Sequence, residues 1–341
     1  MCTSLSIKSN EGHNFFGRNM DLAYDFNQAV LLLPRNYEFT DKVSGDMLKT
    51  KYAIIGIGAV IDNHPAIADA MNEKGLACAG LNFEGYFHVE ENIVPGKKNI
   101  APYDFIHWVL SNHETVDEVK EAIKNIELVN VPINEKTPIS TLHWMVVDKT
   151  GKSIVVEKTK EKFAVYDNPV GVMTNNPTFD WHVTNLNEYM YLKPNQPKDI
   201  KWSDKELTPL GIGAGTLGIP GDFESVSRFV RIAYIRAHMP SIENDTTAVT
   251  QFFHMLDYVK MVKGGVITRD GMEDLTRYSS CMDQEKGIYY YRNYNNNRIN
   301  AIDMHKEDLD ATDNIKKAAK LLGIELLEHI VIGNGIYTNI R

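Results

Sequence analysis

Residues 1–22, MCTSLSIKSNEGHNFFGRNMDL, decide the fold at the start of the chain. The stretch from Thr3 to Lys8 is short and β-prone, and Asn10-Glu11-Gly12 is typical of a turn. The apolar stretch Asn14 to Arg18 then returns as a second strand. The pattern therefore predicts a β-hairpin that brings the end of its second strand back beside the chain terminus.

Cys2 stands directly behind the initiator methionine, which is unusual. Removal of Met1 would leave a residue with both a thiol and a free α-amino group. An α-amine has an ordinary pKa of about 8, so it can take up a proton near neutral pH. A nucleophile whose base is the chain's own amine is a known catalytic arrangement. Position 2 can also simply tolerate a small residue, so Cys2 alone does not decide the function.

Arg18 and Asp21 lie on or just after the second strand of this hairpin, close to Cys2. At a strand period of two, Arg18 and Met20 share a face and Asp21 points the other way, so we expect a bend that brings both charges to Cys2. An arginine favours a nearby thiolate, and a carboxylate can orient an amine. The alternative is an ordinary surface ion pair between Arg18 and Asp21.

The composition is that of an ordinary soluble globular chain. The 341 residues are 43% hydrophobic and 24% charged, with a formal net charge of -9. The negative charge and the absence of basic clusters argue against nucleic-acid binding. The sequence has no signal-peptide pattern and no apolar run of membrane-spanning length, which predicts a cytoplasmic protein without membrane contact. Three cysteines, Cys2, Cys78 and Cys281, indicate neither a disulfide framework nor a zinc site.

The remaining pattern predicts one α+β domain, with antiparallel strands at both ends of the chain and helices between. Thr115 and Glu118 form a capping-box pattern at the start of one helix. The other predicted helices are Pro102–Ser111, one from near Asp180, Ser225–His238 and Thr246–Met261. The further predicted strands are Val30–Leu33, Tyr52–Ile61, Gly75–Asn82, Leu142–Asp148, Ser153–Lys158, Phe163–Tyr166, Arg277–Cys281, Gly287–Tyr294 and Asn300–Met304. The tail, residues 310–341, is predicted to be an extension of unknown role, with a helix at Ile315–Leu322.

Three further polar residues are candidates for a site. Asn82 and Asn175 follow apolar strands, and each is either a turn residue or a hydrogen-bond donor for a developing oxyanion. Arg228 lies among apolar residues at a helix start, so it is either exposed or part of a buried network. The glycine-rich segment 211–221 lacks the residues of a phosphate loop and is predicted to be a structural loop.

Together these residues resemble the choloylglycine hydrolases, the bile salt hydrolases and penicillin V acylases of the N-terminal nucleophile superfamily. The matching stretches within residues 2–309 are Cys2, Gly17-Arg18-Asn19-Met20-Asp21, Ala79-Gly80-Leu81-Asn82-Phe83, Thr174-Asn175-Asn176-Pro177-Thr178-Phe179, Gly218-Ile219-Pro220-Gly221-Asp222 and Ser227-Arg228-Phe229. The resemblance implies a single domain over residues 2–309, folded as an αββα sandwich of two antiparallel sheets between helix layers.

The resemblance also implies roles for the candidate residues. Cys2 matches the nucleophile, Arg18 and Asp21 the pair beside its thiol and amine, Asn82 and Asn175 the oxyanion-hole positions, and Arg228 the arginine of the polar network. It implies no cofactor or metal, and it suggests a homotetramer. The family's steroid-binding loops correspond here to apolar candidates for substrate binding: Met20, Tyr24, Phe26, Ala59, Ile61, Ile133, Ile139 and Leu142.

The predicted function is hydrolysis of the amide bond in glycine- or taurine-conjugated bile salts. A penicillin V acylase is the first alternative: it would use the same chemistry, so only the pocket and Asn82 discriminate. Penicillin acylases of this family tend to carry tyrosine at the position of Asn82, so asparagine favours the bile salt branch. The alternative from another class is a non-catalytic protein that binds sterols or other apolar acids and retains Met1.

Overall fold

The structure is a computed structural model that describes residues 1–311 and, beyond them, three short strands of the C-terminal segment. The helices are α1 Phe105–Asn112, α2 Val116–Ile123, α3 Phe179–Asn185, α4 Ser225–Ala237 and α5 Asp245–Asp257. The strands are β1 Cys2–Lys8, β2 Asn14–Leu22, β3 Ala29–Leu33, β4 Glu38–Thr40, β5 Met47–Lys49, β6 Ile54–Ile61, β7 His64–Asn72, β8 Ala77–Asn82, β9 Lys98–Ile100, β10 Ile126–Leu128, β11 Leu142–Val147, β12 Ser153–Lys158, β13 Phe163–Asp167, β14 Val172–Met173, β15 Ile200–Trp202, β16 Lys205–Leu207, β17 Val266–Ile267, β18 Glu273–Asp283, β19 Ile288–Asn293, β20 Asn296–Asp303, β21 Lys316–Lys320, β22 His329–Gly333 and β23 Ile336–Ile340.

Two large antiparallel sheets form the centre of the molecule. The first has seven strands in the order β14-β1-β2-β18-β19-β20, with β17 also paired to β18. The second has eight strands in the order β13-β12-β11-β8-β7-β6-β3-β21. Helices α4 and α5 pack on the first sheet, and α1 packs on β7 and β8 of the second. These layers form the αββα sandwich that the sequence predicted.

The opening hairpin is confirmed. Strands β1 and β2 pair in one register throughout, with Cys2 opposite Met20 and Lys8 opposite Asn14. The second strand continues to Leu22, and the register of its pairing with β18 shifts between Thr276 and Tyr278, opposite Asp21 and Met20. Gly17 is required where β2 passes β18, because a Cβ at this position would lie 2.1 Å from the carbonyl oxygen of Ser280. The close contact fixes β2 in the centre of the first sheet and Cys2 at the end of its neighbour.

Most predicted elements are present, with boundaries shifted by a few residues. The Thr115 cap is confirmed, since its Oγ1 accepts a hydrogen bond from the Glu118 N–H at 3.2 Å. Strand β7 was not predicted, because Pro65 and Asp69 interrupt its apolar pattern.

The predicted helix at Ile315–Leu322 is wrong over residues 316–320, which form β21; the rest of that prediction lies outside the described residues. Strand β21 pairs with β3, so it covers backbone groups that would otherwise be exposed at a sheet edge.

Candidate active site

Cys2 is the first residue of β1 and lies at the edge of the site. It is 3% exposed, and its sulfur lies 3.9 Å from the Met20 sulfur, on the face of the first sheet that is turned toward the second sheet. Its backbone N–H donates to Asn175 Oδ1 at 2.8 Å. The thiol and the backbone nitrogen of Cys2 are therefore held by different partners.

Arg228 of α4 connects the segments around Cys2. Its guanidinium is fully buried and donates to the carbonyl oxygen of Cys2, to Thr3 Oγ1 at 2.6 Å and to Asn175 Oδ1 at 2.8 Å. A fourth hydrogen bond, from Nε to the Phe223 carbonyl oxygen, is 2.9 Å long. Burial lowers the pKa of Arg228, and the negative groups nearby oppose this change. The predicted buried network is present, rather than an exposed arginine.

Asp21 lies on the same side of the first sheet as Arg228. One of its oxygens accepts a hydrogen bond from the Thr276 hydroxyl at 2.6 Å, and the other, Oδ2, is buried without a hydrogen-bond partner among residues 1–311. Burial raises the pKa of Asp21, while Arg228 and the N-terminal amine lower it. The unpartnered oxygen provides a place for an additional hydrogen-bond donor.

The α-amine of Met1 occupies the approach to this carboxylate. It donates to the backbone carbonyl oxygen of Asp21 at 2.7 Å and lies 3.6 Å from Asp274 Oδ2. The amine is thus placed between two acidic residues while Met1 is attached.

Arg18 lies on the opposite face of β2 from Asp21, as the strand period predicted. It is fully buried and donates from Nη1 to the carbonyl oxygens of Gly80 at 2.5 Å and Ala68 at 3.4 Å in the second sheet. Its Nη2 lies 3.3 Å from the Met20 sulfur, which also contacts the Cys2 thiol. Arg18 and Asp21 therefore lie on opposite faces of β2, and both are fully buried, so they are not a surface ion pair.

The two asparagines are joined to each other. Asn175 Nδ2 donates to the backbone carbonyl oxygen of Asn82 at 2.8 Å. The Asn82 side chain accepts a hydrogen bond from the Thr141 hydroxyl at 2.8 Å. Its Nδ2 has no hydrogen-bond partner within residues 1–311, so this donor can serve a bound molecule.

The backbone of Asn175 is fixed by residues that the sequence analysis did not single out. His143 Nε2 donates to the Thr174 carbonyl oxygen at 2.9 Å, and His182 Nε2 donates to that of Asn175 at 2.9 Å. The Asn175 N–H donates to the Ser225 hydroxyl at 2.9 Å. His143 and Ser225 come from distant parts of the chain, whereas His182 lies seven residues after Asn175, on α3.

The eight apolar candidates for substrate binding fall into several environments. Met20 belongs to the same buried cluster as Cys2, and Phe26 packs against it. Ile133 is buried in a small separate cluster with Ile61 against it, and Leu142 packs toward α1. The other three differ in exposure: Ala59 buried, Ile139 half-buried and Tyr24 exposed. A shared role in substrate binding stays a prediction.

One group of possible metal ligands lies away from this site, in the part of the chain described here. Ligand atoms of Glu11, His13 and Asp245 lie within 4.8 Å of one another. Asp245 is already paired with Lys286 at 2.7 Å, which competes with a cation. No helix in residues 1–311 is both long and apolar enough to span a bilayer.

The choloylglycine hydrolase family, described as linear amide C–N hydrolases, has a sequence model that matches residues 2–317. The chain belongs to this family. A second model, for a RadC-like JAB domain, matches only residues 295–341. That short match assigns no activity, and the predicted boundary between residues 309 and 310 stays a prediction.

The bile salt hydrolase/transferase of Clostridium perfringens is 52% identical to this chain, over 92% of the chain and 95% of the relative. That of Lactiplantibacillus plantarum is 43% identical over the same shares of each chain.

The crystal structure of a mutant conjugated bile acid hydrolase from C. perfringens has a TM-score of 0.89 and 51% identity. That comparison covers 93% of this chain and 96% of the other. Penicillin V acylase from Agrobacterium tumefaciens shares the fold at a TM-score of 0.72, with 24% identity over 94% and 92% of the two chains.

Proposed function

We propose that this protein hydrolyses the amide bond of glycine- or taurine-conjugated bile salts, with Cys2 as the nucleophile. The observation that carries this proposal is the arrangement at Cys2, whose backbone nitrogen, carbonyl and thiol contact Asn175, Arg228 and Met20 respectively. Arg18 contacts the same Met20 sulfur. The two bile salt hydrolase relatives, 52% and 43% identical, support this choice of substrate.

The first step is removal of Met1, which converts the Cys2 nitrogen from a peptide N–H into an α-amine. This nitrogen already lies 2.8 Å from Asn175 Oδ1. The unpartnered Oδ2 of Asp21 and the Arg228 network lie on the adjacent side of the strand. The free amine, directly or through water, takes the thiol proton as a general base.

The thiolate then attacks the amide carbonyl, and negative charge develops on the carbonyl oxygen. We assign the donors for this oxyanion to Asn82 and Asn175, since each carries an amide Nδ2 at the site. A preorganised donor of this kind contributes about 3 kcal/mol to the lowering of the barrier. The protonated amine passes its proton to the leaving nitrogen, which releases glycine or taurine. Water then hydrolyses the thioester and frees the bile acid and the thiol.

The central test replaces the nucleophile. C2A protein, with Met1 removal checked by intact-mass spectrometry, should give no detectable glycocholate hydrolysis while its thermal unfolding stays close to that of the wild type. C281A is the matched control, because Cys281 is fully buried in β18 and is not one of the proposed catalytic residues. Full turnover by the C2A protein would refute the assignment.

A penicillin V acylase uses the same chemistry on a different acyl group. Asparagine at position 82, where penicillin acylases of this family tend to carry tyrosine, favours the bile salt branch. Side-by-side rates for glycocholate, taurocholate and penicillin V decide between the two. Faster turnover of penicillin V would reverse the proposed substrate.

The non-catalytic alternative predicts that Met1 is retained, because an acylated nitrogen cannot act as the base. Intact-mass spectrometry of the purified protein distinguishes a chain that begins at Met1 from one that begins at Cys2. A retained Met1 together with bile salt binding and no turnover would favour the binding protein.

We also propose a cytoplasmic homotetramer. The segment of residues 190–217, here called the exposed arm, carries large apolar side chains in solvent: Met190, Trp202, Leu210, Ile212 and Leu217. Such exposed apolar surface is typical of contacts between chains. Light scattering after gel filtration should show a tetramer for the wild type and a smaller mass for L210D/I212D. A monomeric wild type would contradict the proposed homotetramer. Cell fractionation tests the proposed cytoplasmic location.

A further inference from the structure

A buried carboxylate lies between the two sheets, behind the candidate active site. Asp69, on the inner face of β7, is fully buried. It accepts three hydroxyl hydrogen bonds, from Tyr278 at 2.5 Å, Ser280 at 2.8 Å and Tyr289 at 2.6 Å. Three donors on two oxygens are what an ionised carboxylate accepts, so the cluster is built to hold a negative charge.

The same space contains the guanidinium of Arg18. Its Nη1 donates to the carbonyl oxygen of Ala68, the neighbour of Asp69 in β7. The Arg18 backbone N–H donates to the Ser280 hydroxyl at 3.3 Å, and that hydroxyl donates onward to Asp69. The two charged side chains therefore lie near enough in the interior of the sandwich for each to shift the pKa of the other, with the Ala68 carbonyl and the Ser280 hydroxyl between them.

The strand register connects this interior to the nucleophile. Tyr278 of β18 lies opposite Met20 of β2, and Met20 lies opposite Cys2 of β1. Residues directly opposite each other in antiparallel strands project on the same face, so Cys2, Met20 and Tyr278 form one row. Asp69 accepts its hydrogen bond from the end of this row, on the side toward the second sheet.

Each buried arginine thus has a separate carboxylate. Asp21 projects from the other face of β2, on the side of Arg228, which leaves Asp69 on the side of Arg18. Burial raises the pKa of Asp69, and Arg18 with the three hydroxyl donors opposes that rise. Burial would lower the pKa of Arg18, but Cys2, Tyr278 and Asp69 raise it overall.

We propose that Asp69 is the counter-ion of Arg18, and that its negative charge opposes the effect of the Arg18 charge on the Cys2 thiol. The inference rests on the proposed role of Cys2 as the nucleophile. Arg18 is held by backbone carbonyl oxygens and keeps its place without Asp69. The negative charge of Asp69 offsets the positive charge of Arg18 that acts on the thiol. The pair, rather than Arg18 alone, determines at which pH the thiolate forms.

The test measures the pH midpoint of Cys2 alkylation by iodoacetamide, followed by peptide mass spectrometry in the absence of substrate. D69N should lower the midpoint by about one pH unit, because a neighbouring unit charge in a protein interior has an effect of this size. R18M should raise it, and R18M/D69N should return it to within about half a unit of the wild type. Peptide mass spectrometry distinguishes alkylation of Cys2 from that of Cys78 and Cys281, which are fully buried.

D283N is the matched control. Asp283 is a fully buried carboxylate of the same strand as Tyr278, but it pairs with Phe15 at the far end of β2. It should leave the midpoint unchanged. An unchanged or raised midpoint in D69N would overturn the proposal, as would equal midpoints for R18M/D69N and R18M.

Folding of the variants provides a second measurement. If D69N does not fold because Arg18 has lost its counter-ion, R18M/D69N should recover the fold, and failure to recover it contradicts the pairing. Because alkylation needs no substrate, a shifted midpoint without glycocholate hydrolysis would leave the pairing intact and reject the proposed activity. Glycocholate hydrolysis without a shifted alkylation midpoint in D69N would support the proposed activity and reject the pairing.

Discussion

Arg228 is the residue whose loss should affect stability and catalysis together. Its four hydrogen bonds join α4 to both ends of the site: the Cys2 carbonyl, Thr3, Asn175 and the Phe223 carbonyl. R228M keeps a side chain of similar length and removes the charge. It leaves Asp21 buried without the cation that lowers its pKa.

The expected cost follows from these contacts. R228M removes the donor from several buried acceptors, and each buried group left unsatisfied destabilises a protein by about 1–3 kcal/mol. Single domains have unfolding free energies of about 5–15 kcal/mol, so R228M should remain folded at 25 °C. Asn175 keeps its hydrogen bond from Cys2 but loses the one from Arg228. The loss of a fixed oxyanion donor predicts a decrease in kcat of about 100- to 1,000-fold.

Urea denaturation of wild type, R228M, D21N and R228M/D21N measures this directly. D21N in the R228M background should recover about 1–2 kcal/mol, because it removes the uncompensated carboxylate. R231M is the matched control: Arg231 lies three residues further along α4 and donates to the carbonyl oxygens of Pro220 and Asp222. A loss below about 1 kcal/mol in R228M, or no recovery in the double variant, would refute this reasoning.

Three further predictions concern other sites. His107 is fully buried, both ring nitrogens lack partners within residues 1–311, and burial lowers its pKa to about 3; its stability contribution is therefore complete above pH 6.5 and lost as pH falls toward 3. Between pH 7.5 and pH 5, the unfolding free energy of H107L should fall by about 2 kcal/mol less than that of the wild type, as measured by urea denaturation. Asp245 has a pKa of about 2, because burial, which raises it, is outweighed by hydrogen bonds from Lys286, His13 and Ser9. Its contribution to the unfolding free energy is present above pH 4 and lost between pH 4 and pH 2. D245N should therefore lose about 1–2 kcal/mol less stability than the wild type over this range, and an equal loss would contradict this. T141V should reduce kcat about tenfold with little change in stability, because Asn82 loses the hydrogen bond that orients its amide; full kcat would contradict it.

The hairpin and the face of each side chain could be predicted from the sequence because they depend on local rules. A turn at residues 10–12 and a period of two place Arg18 and Asp21 on opposite faces of β2, as found. The irregularity expected at this point of the hairpin is found as a shift in register between β2 and β18, opposite Met20 and Asp21. Asn82, Asn175 and Arg228 were candidates from the sequence, and the resemblance gave them roles. In the structure, Asn175 and Arg228 contact Cys2, and Asn82 contacts Asn175.

The partners of these residues could not be predicted in the same way. Asp69 lies in β7, whose apolar pattern is broken by the buried carboxylate itself. Its donors are more than 200 residues further along the chain, in β18 and β19. Thr276, which donates to Asp21, is equally distant in sequence. Polar residues on a central strand look like errors in a sequence pattern until the opposite sheet shows their partners.

Met1 separates folding from activation. With Met1 attached, the Cys2 nitrogen already donates to Asn175 and the Arg228 network is complete, so we expect processing to change charge rather than shape. Protein that retains Met1 should therefore match the mature protein in unfolding free energy to within about 1 kcal/mol and show no glycocholate hydrolysis. Purification from cells treated with a methionine aminopeptidase inhibitor provides this form, and later treatment with the aminopeptidase should restore activity. Hydrolysis by the Met1-retaining protein would show that the α-amine of Cys2 is not the base. A large gain in stability on processing would show instead that the site forms only after Met1 has left.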